Sequence, residues 1–89
     1  MIRSIIKISN KLGLHARASA KLTKLAGSFR SEVFMSRNGR RVNAKSIMGV
    51  MMLAAGAGSE VEIEIEGEDE QAAMQAITRL IEDKFGEGQ

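Results

Sequence analysis

The sequence predicts a two-layer α+β domain in the order β-α-β-β-α-β-α: a four-stranded antiparallel sheet with three helices on one face. Three observations carry this prediction. Glu60 to Glu66 alternates apolar and acidic residues without a break, Asn38-Gly39 sits between two strand-like runs, and three stretches show a helical pattern, the first two closed by glycine. Hairpins and mixed connections favour an antiparallel sheet with its helices segregated to one side.

Ile2 to Ser9 reads as a strand, with Ile2, Ile6 and Ile8 on one face. Asn10 to Leu14 is a loop. Ala16 to Ala26 is a helix whose Ala18, Leu22, Leu25 and Ala26 repeat as a buried stripe, with Gly27 as its stop and Lys21 and Lys24 toward solvent. Ser31 to Arg37 and Arg40 to Asn43 flank Asn38-Gly39 as a hairpin, and the short polar second arm suits a sheet edge. Ser46 precedes a helix over Ile47 to Ala55, followed by Gly56 and Gly58. In Glu60 to Glu66, Val61, Ile63 and Ile65 point inward and four glutamates outward, a strand with one wet face. A last helix runs from about Glu70 to Phe85, with Ala73, Ile77, Leu80 and Ile81 as its stripe and Asp69 as its cap. No linker, repeat or low-complexity tract marks a boundary, so residues 1–89 read as one domain.

The composition excludes several classes of function. Eighty-nine residues bury a modest core and leave little room for a deep substrate cleft. With no cysteine and one histidine, neither a disulfide framework nor a transition-metal site is expected. No cofactor is implied. Met1 to Lys7 is interrupted by charges and reads as neither signal peptide nor membrane span, so a soluble cytoplasmic monomer is the expectation. The net charge is only +2, but residues 1–59 carry 11 Lys and Arg against Glu32 alone, while residues 60–89 carry 10 acids against Arg79 and Lys84. Either a basic surface attracts acidic partners, or folding mixes the two halves. Three Phe and no Tyr or Trp leave few stacking platforms for nucleic acid. A nucleic-acid module built on Arg37, Arg40 and Arg41 remains a remote alternative, one whose affinity would fall steeply with salt.

The single histidine, His15, stands where the first loop becomes a helix. A neutral imidazole is nucleophilic near pH 7, and the first amides of a helix, with no internal partners, attract an anion. Arg17 adds a permanently charged fork for phosphate oxygens. Such a pattern suits a group that accepts and holds a phosphoryl unit. Spacing alone equally allows His15 as a capping or surface residue and Arg17 as a solvated one.

Asn10-Lys11-Leu12-Gly13-Leu14-His15-Ala16-Arg17-Ala18, with Asn43-Ala44-Lys45-Ser46-Ile47-Met48-Gly49-Val50, resembles the histidine-containing phosphocarrier (HPr) family of the bacterial phosphotransferase system. The likeness runs along essentially the whole chain, and two motifs at the right separation are more specific than either alone. The resemblance implies an open-faced sandwich of four strands and three helices. It implies that His15 is phosphorylated on the ring nitrogen nearer the backbone, with the Ala16 amide and Arg17 stabilising the phosphate. The donor would be phosphorylated enzyme I, charged from phosphoenolpyruvate, and the acceptor an enzyme IIA protein or domain. Since the machinery is shared with these partners, the chain would be a stoichiometric carrier and no enzyme by itself. Ala18 departs from the family, which commonly has proline there; alanine keeps the helix while giving a less rigid entry.

Ser46 reads physically as a helix cap. In the family, a serine here is phosphorylated in some bacterial lineages by HPr kinase/phosphorylase, which weakens transfer at the histidine. The helix after it is apolar on more than one side. One stripe faces the sheet, and the remainder, including Met48 and either Met51 or Met52, forms an exposed patch, unless so short a helix buries most of its surface. Lys24, Ile47, Met48, Met51 and Met52 are the residues assigned to partner docking. Asn10-Lys11-Leu12-Gly13 also resembles the nitrogen-branch regulatory paralogue, whereas Lys45-Ser46-Ile47-Met48-Gly49 points toward the sugar branch.

Overall fold

The computed structural model describes residues 1–87. It contains β1 (Ile2–Lys7), α1 (Ala16–Gly27), β2 (Glu32–Arg37), β3 (Arg40–Asn43), α2 (Ile47–Met52), β4 (Glu60–Glu66) and α3 (Glu70–Glu82), then a single 3₁₀ turn at Lys84–Gly86. The strands form one sheet in the order β1-β4-β2-β3, each neighbour antiparallel. The predicted four-stranded sheet with three helices on one face is what forms.

Period-two alternation decides which side chains meet the helices. Ile6, Val61, Ile63, Ile65, Val33 and Met35 are buried on the covered face, and Ile8 continues that line just past β1. The helices add Ala18, Leu22 and Ala26 from α1, Val50 from α2, and Ala73, Ile77 and Ile81 from α3. Leu25 and Leu80, expected in the stripes, are only partly buried against this core. Two polar residues of α1 are buried as well. Ser19 and Thr23 satisfy their hydroxyls on preceding carbonyls, Leu14 and Ser19 respectively. The hairpin forms as read: Asn38 and Gly39 both have positive φ, 51° and 79°, the geometry of a type I′ turn.

The ends of four elements differ from expectation, each for a physical reason. Strand β1 ends at Lys7, two residues early, because the Ile8 amide and carbonyl bond Ser59 and Gly58 in the loop before β4. Gly27 closes α1 from inside the helix, and Ser28 caps it with its hydroxyl on the Leu25 carbonyl (2.6 Å). Helix α2 stops at Met52, short of Ala55: Ala54 is left-handed (φ 51°), while Arg37 and Arg40 donate to the terminal carbonyls of Leu53 (3.0 Å) and Met52 (3.3 Å). Helix α3 ends at Glu82, because Lys84 and Phe85 turn left-handed (φ 54° and 56°) and drive Phe85 into the core.

Asp69 precedes α3 but does not cap it with its side chain. Its carboxylate turns instead to the segment before β2, accepting from the amides of Arg30 (2.8 Å) and Ser31 (2.9 Å) and from the Ser31 hydroxyl. The outer face of β4 is not uniformly wet either. Glu64, only 7% exposed, lies between Arg3 (3.3 Å) and Arg41 (3.1 Å), and Arg41 stacks on Phe34 at 3.8 Å.

Candidate functional site

Loop Asn10–Leu14 is held from three sides before it delivers His15. The Leu14 amide bonds the Ala55 carbonyl (2.9 Å), the buried Asn10 amide nitrogen bonds the Gly13 carbonyl (2.8 Å), and the Ser19 hydroxyl bonds the Leu14 carbonyl (3.1 Å). Gly13 is doubly required. Its φ is +65°, and a Cβ there would sit 2.5 Å from the Ala55 oxygen and 2.7 Å from the Gly56 Cα.

His15 occupies the N-cap position of α1 in extended conformation (φ −74°, ψ 178°). Its side chain is 28% exposed, so the ring is open to solvent without being loose. The first bond of the helix runs from the Ser19 amide to the His15 carbonyl (2.8 Å). The amides of Ala16, Arg17 and Ala18 therefore lie ahead of that ladder and find no backbone acceptor among the described residues. The Arg17 guanidinium is exposed and makes no ion pair among the described residues. His15, Ala16 and Arg17 line one open depression of about 680 Å³ together with Lys11, Leu12, Gly86 and Glu87. Positive charge, amides with no backbone acceptor among the described residues and a partly exposed imidazole therefore converge in one shallow place, with the Glu87 carboxylate beside them.

Glu87 was not singled out in the sequence. Its carboxylate touches His15 Nε2 with one oxygen and accepts from Asn10 Nδ2 (3.0 Å) with the other. The carboxyl is held below the usual range, first by the Asn10 hydrogen bond and then by the His15 hydrogen bond and charge, against partial desolvation. Nothing local in Lys84-Phe85-Gly86-Glu87 signals this; it depends on the left-handed turn that reverses the chain after α3. Lys11 and Leu12, also in the depression, lie within the quoted motif but have no assigned role.

The remaining assigned residues lie outside this depression. Ser46 caps α2, its hydroxyl accepting from the Gly49 amide (3.1 Å). Ile47, Met48, Met51 and Met52 are 45%, 70%, 38% and 56% exposed, so both methionines of the pair face solvent and the apolar patch is wider than expected. Lys24 is exposed on α1 beside Lys21, Leu25, Ser28 and Leu80. The three hairpin arginines are each engaged within the molecule, Arg37 and Arg40 on α2 and Arg41 on Glu64. Among the described residues no group of three or more His, Cys, Asp or Glu could hold a metal ion, and no helix is long and apolar enough to cross a membrane.

The family model described as "PTS HPr component phosphorylation site" matches residues 2–83. The phosphocarrier protein HPr of Cupriavidus necator is 66% identical over 89 residues, covering all of both chains. That of Neisseria meningitidis serogroup A is 56% identical over 89 residues, again covering both completely. The crystal structure of HPr from Thermoanaerobacter tengcongensis superposes with a TM-score of 0.94 at 45% identity, covering 98% of each chain. With a matching family model, full-length relatives and a shared fold, the chain belongs to the HPr family of phosphocarriers of the phosphotransferase system.

Proposed function

We propose that this protein, acting as one unit over residues 1–89 and as a monomer in the cytoplasm, accepts a phosphoryl group on Nδ1 of His15 from phosphorylated enzyme I and passes it to a histidine of an enzyme IIA protein. The observation that carries this reading is the partly exposed imidazole at the start of α1, in one depression with Ala16 and Arg17, whose amides have no backbone acceptor among the described residues. The amides and the guanidinium face the charge that arrives with the phosphoryl group. An N–P bond is high in energy, so a carrier must hold its cargo without trapping it. A single arginine and one helix end in an open depression meet that need better than an enclosed cage of cations.

Docking to both donor and acceptor falls to the exposed apolar surface of α2, with Lys24 contributing charge. Ile47, Met48, Met51 and Met52 give a deformable surface suited to more than one partner. Ser46 is the regulatory position: a phosphate added by HPr kinase/phosphorylase would sit at the start of α2 and alter the charge that surface presents.

Incubating the protein with enzyme I and phosphoenolpyruvate is expected to give an acid-labile, alkali-stable modification. His15→Ala should abolish it. Label that survives this substitution would refute the assignment of His15.

A further inference from the structure

Glu87 reaches His15 through a chain of specific contacts. Phe85 is fully buried, and Lys21 Nζ donates to its carbonyl (2.6 Å), which pins the turn after α3. Glu87 then lies with one carboxylate oxygen on His15 Nε2 and the other receiving Asn10 Nδ2 (3.0 Å). Asn10 is itself fully buried, and the same amide nitrogen donates to the Gly13 carbonyl (2.8 Å). One buried amide thus ties the carboxylate to the loop that leads into the histidine.

On the reading that His15 accepts the phosphoryl group, we propose that Glu87 is a positioning residue: braced by Asn10, it holds the proton of the neutral imidazole on Nε2 and so presents Nδ1 with a free lone pair. A neutral imidazole carries one N–H, and which nitrogen bears it is set by the partner of the other. An ionised carboxylate only accepts, so the nitrogen facing it must be the donor. The Asn10 hydrogen bond, followed by the His15 contact, favours the ionised form of Glu87. Nδ1 has no hydrogen-bond partner among the described residues.

The transfer step balances without any proton leaving Nδ1. Its lone pair forms the N–P bond while the bond from phosphorus to the donor's leaving atom breaks, the electron pair staying with that atom. The ring takes up one positive charge, shared with Nε2–H and facing the Glu87 carboxylate. On onward transfer the N–P bond breaks with its pair returning to Nδ1, and the ring is restored as the neutral Nε2–H tautomer.

Because His15 is the only histidine, ¹⁵N-histidine labelling of the full chain yields one pair of ring signals. At about pH 9, where an ordinary imidazole is neutral, the wild type should show Nε2 protonated and Nδ1 bare. In Glu87→Ala the two shifts should move toward each other as the tautomers mix, with Glu87→Asp restoring part of the separation. Phosphoryl acceptance at saturating donor should fall severalfold at most in Glu87→Ala, since in a mixture of tautomers only the rings with a bare Nδ1 can attack. Unchanged ring shifts in Glu87→Ala would overturn the proposal. So would faster phosphoryl acceptance, which would mark the carboxylate as a blocking anion. If His15→Ala abolishes labelling while Glu87→Ala changes neither shifts nor rate, the positioning role fails and the carrier reading stands. If the wild type takes no label, the carrier reading fails, and the ring shifts, which need no partner protein, still decide whether Glu87 sets the tautomer.

Discussion

The carboxylate of Asp69 accepts from two backbone amides and a hydroxyl, and these bonds hold its pKa at about 2, the Ser31 hydroxyl contributing most and the Arg30 amide next. An unfolded aspartate protonates near pH 3.9. The stabilisation from this residue is therefore complete above about pH 4 and lost as pH falls toward about 2. Glu87, also lowered, adds to the acid sensitivity in the same direction. Asp69→Asn should flatten the loss of melting temperature between about pH 4 and about pH 2, without abolishing it. A thermal melt series across that range measures this, and an acid limb identical to wild type would refute it. The sequence marked Asp69 as a helix cap because the residue type and position suited one. It could not reveal that amides 38 and 39 positions earlier would compete for the same oxygens and win.

Among the elements, α2 has the least support from its own residues. It spans six residues, far below the length at which an isolated helix persists, so its ends must be held from outside. Ser46 holds the N-terminus, and Arg37 and Arg40 reach across from the hairpin to the last carbonyls. Ser46→Ala should cost about 1 kcal/mol of folding stability, read as a shift in urea midpoint. A threonine at the same position should recover most of that loss, and a neutral Ser46→Ala would show the cap to be idle. The start of α2 was readable because a serine before an apolar run is a local signal. Its end was not, because the arginines that bind it come from another element, and Ala54 adopts a backbone angle that alanine rarely signals.

At the scale of the whole molecule, folding mixes the two oppositely charged halves of the chain. Strand β4, which carries four of the acids, inserts between β1 and β2, and Glu64 there takes both Arg3 and Arg41. Arg30 pairs with Glu68 (3.7 Å), and the N-terminal ammonium with Glu70 (3.5 Å). The strands, hairpin and most helical cores were legible because their patterns are periodic and local. Of the candidate site, the His15 loop and Arg17 were legible for the same reason. Glu87 was not, since its contact with Asn10 spans 77 positions. Phe85 joins that distant segment to the core, so Phe85→Ala should cost about 3–5 kcal/mol in denaturant unfolding. It should also release Glu87 from the imidazole, visible as the same convergence of ring ¹⁵N shifts expected for Glu87→Ala. Loss of stability with unaltered shifts would show that the turn and the carboxylate act separately.

The reversal of the chain after α3 also bears on how the protein is handled. A fluorophore or fusion joined just beyond Glu87 pulls on the very segment that touches the imidazole, whereas one grafted at the Asn38-Gly39 tip hangs from an edge of the sheet. Where the label is attached therefore decides whether a tagged sample still reports the chemistry of the native ring.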